Sequence, residues 1–339
     1  MKILAIETSC DETAVAVVDV AAPLDRVILA DVLFSQLEPN RPYGGVVPEL
    51  TSRAHAERLP DLVARTLNNA GLRMEDMDAV AASVGPGLTT ALVVGSMFAK
   101  TLAVAANKPF IPVNHIEGHA LSPLLELGTG DVFPYVLLLV SGGHCQLVAV
   151  RGVGNYELLG TTLDDAVGEC FDKVGKMLGL PHPAGPALDV LSLTGNAGAV
   201  VLPTPKNDQT LDFSFSGLKT AVRTVLEKSP EVKHEDVAAA FTDVVVRVMV
   251  KKVGLALDAV PEAKALVAAG GVACNKALRA ALADVAAARG VDFAVPAMRY
   301  CTDNAVMIGW CAGLRAVAGF DDANLGVGVR PRWPLGEDF

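Results

Sequence analysis

Aromatic residues are scarce, making up 5% of 339 residues with two Trp and four Tyr, so the 51% hydrophobic content is mostly aliphatic. Charge is sparse too: Asp, Glu, Lys and Arg amount to 19%, against about a quarter in an average soluble chain. Disorder requires low hydrophobicity and high charge, so both shortages exclude it. A basic surplus is also missing, since 28 basic residues face 38 acidic ones for a net charge of −10. Proteins that coat nucleic acid unaided carry the opposite balance, so any such contact here needs a local patch or a partner. The six cysteines contain no Cys-x-x-Cys pair, which reads as reduced thiols in a cytoplasmic protein rather than a disulfide framework. No signal-peptide pattern opens the sequence.

What is present is an aliphatic α/β rhythm. The run Ala79–Ala99 carries no charge and is long enough to span a bilayer. Gly85-Pro86-Gly87 interrupts it, however, and predicts a strand, a turn and then a helix from Thr89 to Ala106. Ile3–Ile6 reads as a strand, Glu7 to Thr13 as a polar turn and Ala14–Val18 as a second strand. The pattern recurs at Tyr135–Val140, Ser141–His144 and Gln146–Val150, which suggests an internal duplication. Turns rich in Gly and Ser let backbone N–H groups converge on an anion. Further helices are expected at Glu49–Leu67, Val237–Val260, Asn275–Arg289 and Asn304–Ala318, with strands at Ile111–Val113, Ala265–Ala269 and Asp292–Pro296. Gly179–Pro186 and Val201–Leu211 read as irregular loops. At roughly 100–200 residues per domain the length suggests about two domains.

His115 and His119 lie four positions apart, so on a helix they share one face. The spacing matches the zinc-protease helix, but there the general-base glutamate directly follows the first histidine. Here Ile116 holds that place and Glu117 is displaced. The pair is therefore compatible with a metal site and equally with a structural role. Gly270-Gly271 ends a strand where α/β folds bind nucleotides, although close helix packing also explains it. Asp303 precedes the last helix, where Thr302 or Asp303 could serve as an N-cap.

Together these segments are similar to one family. Ile6–Thr13, Tyr43–Glu49, Gly85–Leu88, Val140–His144, Asp212–Lys219 and Val329–Leu335 resemble the tRNA N6-adenosine threonylcarbamoyltransferase family, in its bacterial type. The resemblance runs in order along essentially the whole chain. It implies the actin-like ATPase fold shared with Hsp70 and sugar kinases, with two duplicated α/β lobes around a nucleotide cleft. The expected lobes are residues 1–125, joined by the closing helix near 304–325, and residues 126–303. It also implies transfer of threonylcarbamoyl from threonylcarbamoyl-AMP to the N6 amine of the adenosine beside the anticodon, in tRNAs that read codons beginning with A. His115, His119 and Asp303 match the family's ligands for a divalent metal, iron(II) first and zinc as the alternative. Leu139, Val140, Ser141, Gly142 and Gly143 match its substrate-binding turn. Asp172, Gly185, Asp189 and Asn275 match positions that hold the nucleotide portion. Asp11 and Glu12, in the first turn, are candidates to steer the acyl group or receive the amine's proton. The implied partners are tRNA and two accessory proteins, an inactive paralogue and a small ATPase, with no membrane involved. One departure is Pro183-Ala184-Gly185-Pro186, where the family has a second glycine. A positive φ at Ala184 would strain that loop.

Overall fold

The computed structural model describes residues 1–43 and 45–337. Gly44, in the Tyr43–Glu49 motif, lies outside the described residues. The chain divides into two compact units, Met1–Gly128 with Val153–Asn155 and Asp303–Phe339, and Thr129–Gly152 with Tyr156–Thr302.

In the first unit, β1 (Lys2–Glu7) pairs antiparallel with β2 (Glu12–Asp19) and parallel with β4 (Ala79–Gly85). Beyond them lie β3 (Ile28–Ser35) and β5 (Phe110–Asn114), giving the order β3-β2-β1-β4-β5. Central strands are covered on both faces, which is why β1 and β4 are continuous apolar runs instead of alternating ones. Helix α1 (Pro48–Ala70) begins with Pro in its first turn and stops at Gly71 in the left-handed region, the usual asymmetry of helix ends. Helix α2 (Thr89–Ala105) follows the Gly-Pro-Gly turn. The uncharged run Ala79–Ala99 is thus strand, turn and helix. Among the described residues no helix is long and apolar enough to cross a membrane.

The second unit repeats the plan. Its strands are β6 (Tyr135–Val140), β7 (Cys145–Gly152), β8 (Asn155–Thr161), β9 (Ala265–Ala269) and β10 (Asp292–Ala294). They lie in the order β8-β7-β6-β9-β10. Here too the first strand pairs antiparallel with the second and parallel with the fourth, and the fourth pairs parallel with the fifth. The duplication suggested by two strand–turn–strand segments therefore extends across the whole sheet. Outer strands β3 and β8 have no counterpart among the strands expected from sequence, because they are half-exposed and lack an apolar run. The helices here are α4 (Val167–Met177), α5 (Gly185–Ser192), α6 (Ser216–Lys228), α7 (His234–Ala259) and α8 (Lys276–Arg289). Helix α5 starts within the stretch expected to be irregular. Between α2 and β6 lies a one-turn-plus helix, α3 (His115–Leu121), and the chain closes with α9 (Ala305–Val317). Helix α9 returns to the first unit's sheet, where Gly309 leaves space for Ala5 and Val18.

Candidate metal centre and nucleotide-site residues

Helix α3 is built to present two histidines. The Asn114 side chain caps it, accepting the N–H groups of Ile116 at 2.8 Å and Glu117 at 3.3 Å, and all seven of its residues are buried. His115 and His119 stand edge to face with ring centroids 4.8 Å apart. Asp303 arrives from the far end of the sequence. The N-cap of α9 is Asn304, whose side chain accepts the Met307 N–H at 3.0 Å, so neither Thr302 nor Asp303 is needed as a cap. Asp303 Oδ1 lies 3.0 Å from His119 Nε2 and 3.5 Å from His115 Nε2.

Ligand atoms of His115, His119 and Asp303 all fall within 4.8 Å of one another. Two imidazoles and one carboxylate suit a divalent transition metal and leave coordination positions open. His115 also carries the orienting partner such sites use. Its Nδ1 faces Glu7 Oε2 at 3.1 Å and the Ser9 hydroxyl at the same distance. His119 Nδ1 is buried and has no partner among the described residues. The donor set and the Glu7 support fit a bound cation.

Charge in this cluster is strongly coupled. Burial opposes an imidazolium at His115, yet Asp303 and Glu7 outweigh it and raise its pKa well above the usual value. Burial likewise opposes ionised Asp303, but His115 and His119 pull its carboxyl well below the ordinary range. Glu12 is pushed up to about 9 by burial, then by the charges of Asp303 and Asp11. Asp11 occupies the turn before β2 and Glu12 the first position of that strand. The structure thus brings Asp11, Glu12 and the three ligand candidates into one unit, and adds Glu7. The sequence signal for Glu7 was a carboxylate ending an otherwise apolar buried strand. Glu117 does not serve the histidines as a protease base, because its carboxylate takes Arg315 Nη1 at 2.9 Å.

The remaining candidates belong to the second unit. Leu139 and Val140 end β6, and Ser141–Gly143 form the turn to β7. Ser141 N–H donates to His144 O at 2.8 Å, and Gly143 N–H reaches Ser141 Oγ at 3.3 Å. The Ser141 and Gly143 amide groups are therefore committed within the turn. Small residues crowd it. A Cβ on Gly168 would stand 2.5 Å from Ser141 O, and one on Gly270 would stand 2.3 Å from Val140 O. Gly270 also has φ +92, a region other residues rarely enter.

Asn275 Nδ2 donates to Asp189 Oδ1 at 2.9 Å, while its own Oδ1 caps α8 through Leu278 N–H at 2.8 Å. These two candidates thus come together, on α5 and at the start of α8. Asp172 instead holds its own loop: Oδ1 accepts the Ala184 N–H at 2.7 Å, and Oδ2 lies 3.8 Å from His182 Nδ1. Ala184 sits at φ −84, so the extra methyl carries no left-handed strain. Gly185 opens α5 with empty space where a Cβ would stand. In the Asp212–Lys219 motif, Asp164 receives the Phe215 N–H, the Ser216 N–H and both serine hydroxyls. These hydrogen bonds overcome burial and lower its carboxyl to about 2.

Two five-stranded sheets of identical order, each led by an antiparallel strand pair around a polar turn, define the actin-like α/β class. HypF of T. kodakarensis shares the fold with a TM-score of 0.62 at 13% identity, over 94% of this chain and 48% of that one. Component A of (R)-2-hydroxyglutaryl-CoA dehydratase from Acidaminococcus fermentans does so with 0.55 at 16% identity, over 94% and 99%. At such identities the likeness is one of fold. Sequence carries the assignment further. A family model described as tRNA N6-adenosine threonylcarbamoyltransferase matches residues 27–310, and the chain belongs to that family. Relatives of that name from Brucella anthropi and Brucella ovis are each 51% identical over 99% of this chain and 96% of their own length.

Proposed function

We propose that this transferase moves threonylcarbamoyl from threonylcarbamoyl-AMP to the N6 amine of the adenosine beside the anticodon, in tRNAs reading codons that begin with A. The observation that carries the reading is 51% identity over 99% of the chain to relatives of that name, together with the His115, His119 and Asp303 cluster. The amine nitrogen forms a bond to the carbamoyl carbonyl, the bond from that carbon to the phosphate oxygen breaks, and AMP leaves with the electron pair. The amine is a weak nucleophile because its lone pair is delocalised into adenine, so positioning and charge stabilisation supply the rate. His115, His119 and Asp303 would hold a divalent cation, iron(II) or alternatively zinc, which when bound would supply Lewis-acid chemistry toward the donor. Glu7 keeps His115 oriented. Asp11 and Glu12 are the carboxyl pair: Glu12, whose protonated form burial favours, steers the acyl group, and Asp11 takes the proton lost by the amine.

Asp189, Asn275, Gly185 and Asp172 hold the nucleotide portion of the donor, and the turn Leu139 to Gly143 receives its phosphate end. With two turn amides already occupied, Gly142 is the amide assigned to that phosphate. Reaction with tRNA proceeds with accessory proteins, an inactive paralogue and a small ATPase, in the cytoplasm. Mass analysis of tRNA nucleosides after incubation with threonylcarbamoyl-AMP and those proteins tests the reading. Modified adenosine is expected from the wild-type chain and not from His115→Ala. No modified adenosine from the complete wild-type system overturns it.

A further inference from the structure

One cluster of basic side chains is taken up by nothing above. Residues 201–211 run alongside α7 and leave a cavity of about 200 Å³, lined in part by Thr204, Lys206, Asn207, Arg247, Lys251 and Lys252. Lys252 is the buried post of this arrangement. Its side chain is 1% exposed, and its ammonium donates to Asp208 Oδ1 at 2.9 Å and Thr210 O at 2.6 Å. Asp208 is shared, because its Oδ2 also takes Lys206 at 2.9 Å. Lys206 is held at φ +47, a left-handed conformation that non-glycine residues rarely adopt. Arg247 and Lys251 stand one turn apart on α7, so both face the loop. Arg247 reaches Asp243 at 2.9 Å and the Thr204 hydroxyl at 3.2 Å. Lys251 has a neutral partner, Asn207 Oδ1 at 2.7 Å.

Charge does not balance here. Four cations are met by two carboxylates, Asp208 and Asp243, in a chain whose net charge is −10. A loop tethered by a buried lysine, with one lysine in a strained backbone conformation, keeps cations close together that would otherwise separate. The surplus of two positive charges matches a phosphate dianion. A guanidinium beside an ammonium supplies the directional donors that phosphoryl oxygens accept. Thr204 and Asn207 add neutral donors at the rim.

We propose that this loop–helix pocket is a phosphate-binding site, filled by a backbone phosphate of tRNA or by free inorganic phosphate. The tRNA source rests on the function proposed above; the phosphate chemistry does not. The test uses the full chain saturated with AMP, and compares wild type with the double variant Arg247→Gln and Lys251→Gln. Both glutamines retain hydrogen-bonding ends while removing the charge, and the thermal unfolding midpoint reports whether the fold survives. If the pair unfolds the chain, Lys251→Gln alone is used.

Titration with inorganic phosphate by calorimetry is the first arm, with about a tenfold loss of affinity expected in the variant. Filter binding of tRNA between about 50 and 200 mM salt is the second, with a salt slope shallower by about one for each phosphate no longer neutralised. A change in the tRNA arm alone assigns the pocket to backbone phosphate, and a change in the phosphate arm alone assigns it to the free ion. Wild-type behaviour of the variant in both arms overturns the proposal. Phosphate bound by a wild-type chain that forms no modified adenosine leaves the pocket standing and removes the proposed function instead.

Discussion

Glu7→Gln probes the proposed metal centre without replacing a candidate ligand. Glu7 ends β1 with no exposed surface. Its Oε1 accepts the Ser9 N–H at 2.5 Å, and its Oε2 faces His115 Nδ1 at 3.1 Å. A carboxylate can only accept, so His115 must carry hydrogen on Nδ1, which directs the Nε2 lone pair toward His119 and Asp303 when the ring is neutral. An amide of the same size turns one of the two acceptors into a donor. If its NH2 faces His115, Nδ1 becomes the acceptor and the hydrogen moves to Nε2, where it blocks ligation. If the NH2 faces Ser9 instead, two buried donors oppose each other at about 1–3 kcal/mol. The first orientation therefore prevails, and the ligand is lost to the wrong tautomer.

Outer partners of metal-bound histidines are worth about 10–100-fold in affinity, or about 1.4–2.7 kcal/mol. Zinc(II) titration of wild type and variant against a chromophoric chelator reads that loss directly. Urea unfolding of the metal-free proteins checks that the fold is intact. Equal zinc affinity in the two proteins refutes the argument, because it means that Glu7 does not select the tautomer.

Two further outcomes follow from buried charge. Arg315 is 13% exposed and joins Glu117 at 2.9 Å to Asp322, which it meets through both oxygens. Arg315→Met removes the cation shared by two carboxylates and should cost about 3–5 kcal/mol in urea unfolding, whereas adding Glu117→Gln and Asp322→Asn should recover part of it; a loss under about 1 kcal/mol contradicts the network. Glu12 has a carboxyl raised from 4.5 to about 9, so the fold favours its protonated form. Its contribution is complete below about pH 4.5 and fades as pH climbs through about 9. Glu12→Gln should gain stability over the metal-free wild type across that window, by at most about 1.4 kcal/mol per pH unit. Zinc should narrow the gap, because a bound cation offsets the field of Asp303. Parallel stability curves for the two proteins would falsify this reading.

Local pattern alone settled much of this protein. Continuous aliphatic runs became the central strands β1, β4, β6 and β9, because strands covered on both faces have no polar side to display. Gly-Pro-Gly stopped the uncharged run from being a single helix, and the four-residue spacing of His115 and His119 put both on one face of α3. What spacing could not decide was whether that pair had company. Asp303 lies 184 positions from His119 and looked as much like a helix cap as a ligand. It is the cap at Asn304, read only from the folded backbone, that leaves Asp303 for the histidines.

Glu7 has the same history. A carboxylate at the end of a buried strand has no meaning until β1 and α3 bring it to His115 Nδ1. The acidic balance is a sequence property too, and it counted against nucleic acid for the molecule as a whole. The concentration of Lys206, Arg247, Lys251 and Lys252 around one cavity was invisible there, because the charges sit on a loop and a helix some 40 residues apart. Propensity and periodicity act over a few neighbours along the chain. Ligand sets and charge clusters are made by contacts that only the packed fold creates.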